Sequence, residues 1–327
     1  MKTLTCERWI LLALFAGVIC SNSAPVHALN TIQINTGQTI TNADLMAGVF
    51  DGEAFSLGPD AVFEINSGGA IGPVGQHVIN GLDIFFDFIG STVNVNSGGA
   101  FVSNPPTPQF DPSLTTNLRL NVFPGGTVGD SFGVGDLVFG NGVSVVNIRG
   151  GETGILFDAN GDTVVNIFDG QLGDRAQAFG GSEVNLYGGR IGDSYDAFSG
   201  SVLNVFGGAI GDDFDAFSGS TVNIYVRSLS INGDEVSLAP GEPYAIPIGS
   251  GNTFQLTATL ADGSIFDRTV YPANVIGGTY FDSGSLVLAI LVPEPSSLLL
   301  TAATGCLALA RRRAVPFKHA LRGLVSD

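Results

Sequence analysis

Between Thr163 and Tyr225 apolar and polar positions alternate in short bursts that return every 19 residues. Each burst reads Val/Leu-Asn-apolar-Phe/Tyr, followed by a glycine-containing turn, then Ile/Leu-Gly-Asp, then Ala-Phe. Asn147, Asn166, Asn185, Asn204 and Asn223 hold this register over four successive intervals of 19. In Val184-Asn185-Leu186-Tyr187 the period of two puts Val184 and Leu186 on one face and Asn185 and Tyr187 on the other. Gly188-Gly189 turns the chain, Arg190-Ile191 begins a second short strand, and Ala197-Phe198 stands where a third fits. A fixed period of this length marks a solenoid. The predicted fold class is therefore all-β: a parallel β-helix of about 19-residue coils.

The same rhythm extends towards the N-terminus in looser form. Glu64, Asn94 and Asn121 take the place of the repeat asparagine at intervals of 30, 27 and 26 before the spacing settles at 19. The additional residues, among them the proline-rich Asn104 to Pro112, fall between strands and read as loops bulging from otherwise regular coils. About eight coils at a strand spacing of about 4.8 Å make a rod of roughly 35–40 Å. After Asn223 the register stops. Thr253 to Leu260 alternates with period two, Ala261 to Ser264 forms a turn, and Ile265 to Val270 returns, which predicts a β-hairpin. A solenoid needs its last coil covered, so 226–291 is expected to form a small β cap or linker.

Stacked coils turn equivalent positions into ladders. Asparagines suit one because each amide both donates and accepts. The column Phe168, Tyr187, Phe206 and Tyr225 is expected inside, since stacked aromatics belong more often to a core. Facing outward, it would form a strip beside the asparagines suited to sugars. The column Asp174, Asp193 and Asp212 has two readings. Its members are solvent-facing Gly-Asp turns, or, joined by Asp130, Asp196, Asp213 and Asp215, they hold calcium through oxygen ligands. Like charges one strand apart repel unless solvated or bridged by cations. The expectation is no cofactor, with calcium on Asp174, Asp193 and Asp212 as the exception this pattern allows.

Charge narrows the list of partners. The chain carries 30 acidic and 13 basic residues, a formal net charge of −17. From Leu29 to Val292 there are six arginines and no lysine. A segment so poor in cations cannot neutralise a phosphate backbone, which argues against nucleic acid as a partner. Cys6, Cys20 and Cys306 all lie in terminal apolar segments, so the central region has no thiol nucleophile, Cys-based zinc site or disulfide. Its one histidine, His77, is expected in a surface loop, which leaves little for a catalytic triad. Acidic pairs such as Asp193 with Asp212 or Asp213 are too common here to single out a glycosidase.

The two ends of the chain read as targeting segments. Lys2 and Arg8, the apolar run Trp9 to Cys20 and the small residues before Leu29 predict a signal peptide over 1–28, cleaved after Ala28. At the other end Val292-Pro293-Glu294-Pro295-Ser296-Ser297 precedes the apolar stretch Leu298 to Ala310 and then Arg311, Arg312 and Arg313. This arrangement resembles the PEP-CTERM sorting signal of exported bacterial proteins. The resemblance covers about 22 of 327 residues. It implies export, retention by a C-terminal hydrophobic helix, and processing near Pro293-Glu294-Pro295 by an exosortase-type enzyme, in bacteria that make extracellular polysaccharide. The apolar stretch is short for a span, while the three arginines suit a positive-inside anchor.

The expected organisation is thus a signal peptide (1–28) and a solenoid (29–225) with irregular coils to 146 and regular ones over 147–225. A cap or linker (226–291), a sorting signal with a transmembrane segment (292–313) and a short tail (314–327) follow. The expected function is that of a non-enzymatic, structural or adhesive protein of the cell surface or extracellular matrix. Its expected partners are the processing enzyme, the membrane through the C-terminal helix, and extracellular polysaccharide. The alternative is a β-helix protein that binds polysaccharide or degrades it as a lyase or hydrolase. A site of that kind would sit where the rhythm fails, between Gly69 and Gly140.

Overall fold

The computed structural model describes residues 31–41, 44, 47–55, 61–74, 77–79, 82–84, 90–103, 117–135, 142–248 and 251–292. The expected signal peptide with Ala28, the expected sorting signal Pro293 to Arg313, the predicted C-terminal helix and the tail lie outside these residues. No helix among the described residues is long and apolar enough to cross a membrane.

The chain is a three-faced parallel β-solenoid. The first face starts at Thr31–Ile34 and Val62–Ile65, runs through Glu183–Leu186 and Val202–Val205, and ends at Leu286–Leu291, each strand parallel to the next. Asn94, Asn121, Asn147, Asn166, Asn185, Asn204 and Asn223 are in register along it, with Glu64 and Gln33 continuing the row. The loose N-terminal copies are therefore true coils, and Gln33 adds one earlier than the asparagine pattern reached. The second face runs from Thr39–Ile40 to Ala209–Ile210. The third runs from Gly133–Val134 to Asp215–Ala216 and closes with Thr279–Phe281.

Period two explains the packing of the first face. Val165 and Ile167, Val184 and Leu186, Leu203 and Val205 point inward and are fully buried. Leu172, Ile191 and Ile210 fill the core from the second face, and Ala178, Ala197 and Ala216 from the third. At the corner between the second and third faces Leu156, Arg175, Ser194 and Asp213 all have φ near +60°. There the Arg175 and Ser194 amides donate to the carbonyls of Asp193 and Asp212 on the next coil, at 2.6 and 2.7 Å. After the third face, the hydroxyls of Ser182, Ser201 and Ser220 donate to the carbonyls of Phe179, Phe198 and Phe217, each at 2.6 Å, and tighten the return to the first face.

Both ends of the core are covered. Near the N-terminus Phe55 is buried and meets Phe63 edge-on at 5.9 Å. At the C-terminus the hairpin Phe254–Leu260 with Ile265–Tyr271 forms as its alternation predicts. It packs where the last coil would need a second-face strand. The Gly208 amide donates to Asp262, and the Arg268 guanidinium donates to the Ile210 carbonyl and to Asp212. The chain then rejoins the solenoid through Thr279–Phe281 and Leu286–Leu291, so 226–291 closes the final coil as well as capping it. His77 lies in a two-stranded hairpin, His77–Ile79 with Leu82–Ile84, instead of the loop its glycine-rich surroundings suggest.

Candidate binding surface

The outer wall of the first face carries two parallel ladders. In the inner one, seven consecutive side-chain hydrogen bonds of 2.6–3.1 Å run unbroken from Asn223 to Glu64, each Asn Nδ2 donating to the oxygen of the coil before it. Two residues further along each strand a second ladder begins with asparagines. The Asn96 amide donates to Asn66 and Glu64, and the Asn66 amide to Asn35 and Gln33. In the regular coils aromatic rings take over this outer position. Phe168 and Tyr187 stack at 5.2 Å, Tyr187 and Phe206 at 4.9 Å, Phe206 and Tyr225 at 4.0 Å, with planes 8–14° apart. The Arg149 guanidinium covers the open face of Phe168, 4.6 Å from its centroid.

The aromatic column thus corrects the expectation of a core. Phe168 and Tyr187 are 41% and 40% exposed, because the strand alternation that sends Val184 and Leu186 inward sends Tyr187 outward with Asn185. Nor does the column form a sugar-stacking strip. Sugars pack on ring faces, and the faces of Phe168, Tyr187 and Phe206 are occupied by the next ring or by Arg149, so these rings offer edges to solvent. Beside this ladder the asparagines are shielded, and Asn185 is only 5% exposed.

The aspartates Asp174, Asp193 and Asp212 are equally engaged with neighbouring coils. Asp174 Oδ1 accepts the Asp193 amide at 2.9 Å, and Asp193 Oδ1 accepts the Asp212 amide at 3.2 Å. Asp193 also pairs with Arg190 at 2.6 Å, and Asp212 with Arg268 at 3.1 Å. Among the described residues no group of three or more His, Cys, Asp or Glu side chains converges in a way that could hold a metal ion. Asp174 and Asp193 thus cap a backbone amide of the following coil, where a turn aspartate would cap its own, and Asp212 at the end of the column meets the cap through Arg268.

A depression of about 460 Å³ opens between the first and second faces, lined by Gly125, Gly126, Thr127, Gly150, Gly151, Glu152, Gly170 and Gln171. It lies where the 26-residue spacing gives way to 19. Its glycines answer to packing: a Cβ on Gly170, at φ +86°, would collide with the Gly151 carbonyl oxygen of the coil before. Thr127, Glu152 and Gln171 are in register along the rim. This supplies a hydroxyl, a carboxylate and an amide at successive coils, a pattern that can hydrogen-bond an extended polar ligand. Among the described residues Glu152 is the single carboxylate of the lining, whereas glycoside hydrolysis employs two.

The third face concentrates the perturbed groups. Asp158, Gln177, Asp196 and Asp215 are in register, flanked by the stacked rings of Phe179, Phe198 and Phe217. Burial pushes the Asp158 carboxyl up to about 6. Burial, then the charges of Asp196 and Asp213, push Asp215 up to about 6, against the nearby Tyr280 backbone N–H and the Asn274 hydrogen bond. Asp196 is raised chiefly by burial, with the Gln177 amide opposing. Asp215 is 4% exposed, beneath Asn274, whose Nδ2 donates to it at 2.6 Å. General acid–base catalysis needs reach to a substrate, and this carboxyl is covered. The Ala-Phe pairs at 19-residue spacing signalled the Phe179–Phe198–Phe217 ladder in the sequence; the Asp215–Asn274 contact had no signal, since its partners stand 59 residues apart.

No family model matches the chain, and no curated protein matches it. Among solved structures, the crystal structure of a TibC-catalysed hyper-glycosylated TibA fragment aligns with 15% identity over 81% of this chain and 93% of that one, at a TM-score of 0.24. That superposition is too loose for a functional conclusion to rest on it.

Proposed function

We propose that this chain is an exported, non-enzymatic structural or adhesive protein of the cell surface or extracellular matrix, sorted through its PEP-CTERM-like segment by an exosortase-type enzyme. The observation that supports this best is the continuous Asn223-to-Glu64 hydrogen-bond ladder with the stacked rings beside it. On the first face the outward side chains of consecutive coils are spent on one another, which gives that face a smooth, mutually braced wall. A catalyst of this architecture would instead interrupt its ladders to gather reactive groups. Extracellular polysaccharide is the proposed partner, and the Thr127–Glu152–Gln171 rim the place where its hydroxyls find donors and acceptors. The apolar segment Leu298 to Ala310 with Arg311, Arg312 and Arg313 is the proposed membrane anchor before processing.

Replacing Pro293, Glu294 and Pro295 by alanine in producing cells tests the sorting step. The expected outcome is an unprocessed chain held in the membrane fraction and loss of the protein from the matrix; unchanged processing and location would sink the proposal. Incubating the purified chain with the polysaccharide of the same cells separates scaffold from enzyme. Co-sedimentation without shortening of the polymer is expected, and a falling viscosity would establish the degrading alternative.

A further inference from the structure

We propose that Asp215 is a proton-operated latch that fastens the cap segment 271–279 to the last regular coil. Its Oδ2 accepts the Asn274 side-chain amide at 2.6 Å, while its Oδ1 is buried with no hydrogen-bond partner, the nearby Tyr280 amide being given to the Phe214 carbonyl at 3.0 Å. One strand away in register stands Asp196, with Oδ2 bonded to Gln177 at 3.2 Å. Two residues before it stands Asp213, which accepts the Ser194 hydroxyl at 3.0 Å and the Gly277 amide at 2.9 Å. No other charged or titratable group around it offers a positive charge. The Tyr280 hydroxyl donates to Asp282, Arg268 is paired with Asp212, and the buried Tyr195 hydroxyl, itself without a partner, carries no charge. No cation therefore answers Asp215.

A lone carboxylate oxygen out of water beside two further carboxylates is costly when ionised. Taking up one proton from solvent makes Asp215 neutral. It ends the repulsion from Asp196 and Asp213 and leaves the Asn274 bond in place. Losing that proton restores the repulsion under the loop that Asn274 and Gly277 tie down. Because the folded-state carboxyl titrates near 6 and the unlatched one near its ordinary value, the latch tightens as pH falls through about 6 and is fully closed below about 4.

Hydrogen exchange of the purified full chain between pH 5 and pH 8, corrected for the intrinsic pH dependence of amide exchange, reads the latch at the Gly277 and Tyr280 amides. Protection at pH 5 is expected to exceed that at pH 8 by about tenfold, the part of the linkage already realised at pH 5 for a carboxyl moved from its ordinary value to about 6. Asp215→Asn, which mimics the neutral acid, should be protected at both pH values. A flat wild-type profile, or the same slope in Asp215→Asn, overturns the proposal. Should that variant fail to fold, Asp196→Asn serves instead: removing the neighbouring charge must move the transition to lower pH, and an unmoved midpoint overturns the latch equally.

Discussion

Asn185 shows how a polar residue becomes part of the solenoid's framework. It donates to Asn166 and accepts from Asn204, at 3.1 and 2.8 Å, while 5% exposed. A buried amide whose partner is removed bears the cost of its own desolvation. Asn185→Ala strands the Asn166 oxygen and takes one acceptor from Asn204, which retains Glu183. It should lower stability by about 2 kcal/mol in urea unfolding, with a smaller loss for Asn223→Ala at the end of the run. An Asn185→Ala chain as stable as the parent would show the ladder to be incidental. The asparagine column was legible from spacing alone, because equal intervals place equal residues in register. The shielding of the column by rings two positions along was not, because it depends on how the strand sits against the corner.

At the scale of single coils, corners decide what the sequence tolerates. Gly170 has φ +86° and lies against the Gly151 carbonyl oxygen, so Gly170→Ala meets both backbone strain and a collision. It should cost about 3 kcal/mol or more. Arg175 offers the contrast: an exposed side chain on a residue with φ +58°. A left-handed conformation penalises any residue with a Cβ, and glycine gives back part of the gain through its unfolded-state entropy. Arg175→Gly is therefore expected to stabilise by about 0.5–1 kcal/mol, read as a higher midpoint in thermal unfolding; a lower midpoint would contradict the corner geometry. The strands themselves were readable in advance from alternation, as Val184 and Leu186 illustrate. The corner at Arg175 was not, since nothing in an arginine announces a positive φ.

For the whole molecule, acidity and burial act in the same direction. Asp158 and Asp215 both titrate near 6 in the folded chain, above the ordinary carboxylate value of 3.8. A raised folded value means that the folded state holds its proton more tightly, so stability rises as pH falls through about 6. Lowering pH over that range also relieves a net charge of −17. Carboxyls held below their ordinary value by hydrogen bonds, such as Asp267 with Gln255 and Thr257, reverse the trend only below about pH 4. The melting temperature should therefore climb from pH 7.5 to about 5, with a shallower climb in Asp158→Asn; a melting temperature that falls over this interval would refute the assignment. The closing coil belongs to this scale too, because Arg268 and Asp262 on the cap hairpin satisfy groups on the second face that another coil would otherwise satisfy.

The repeat alone determined that this is a solenoid, which residues share a ladder, and that the looser copies at Glu64, Asn94 and Asn121 belong to it. Covalent spacing sets register, and register is a property of sequence. The tertiary structure decided what each ladder does. Whether Tyr187 faces the core or solvent follows from how three strands close around Leu186. That Asp174 and Asp193 cap the amides of Asp193 and Asp212 follows from where each carboxylate meets the next coil. And Asp215 is a buried, unanswered carboxyl because Asn274, far along the chain, folds back over it: burial is set by neighbours in space, and no local pattern encodes those.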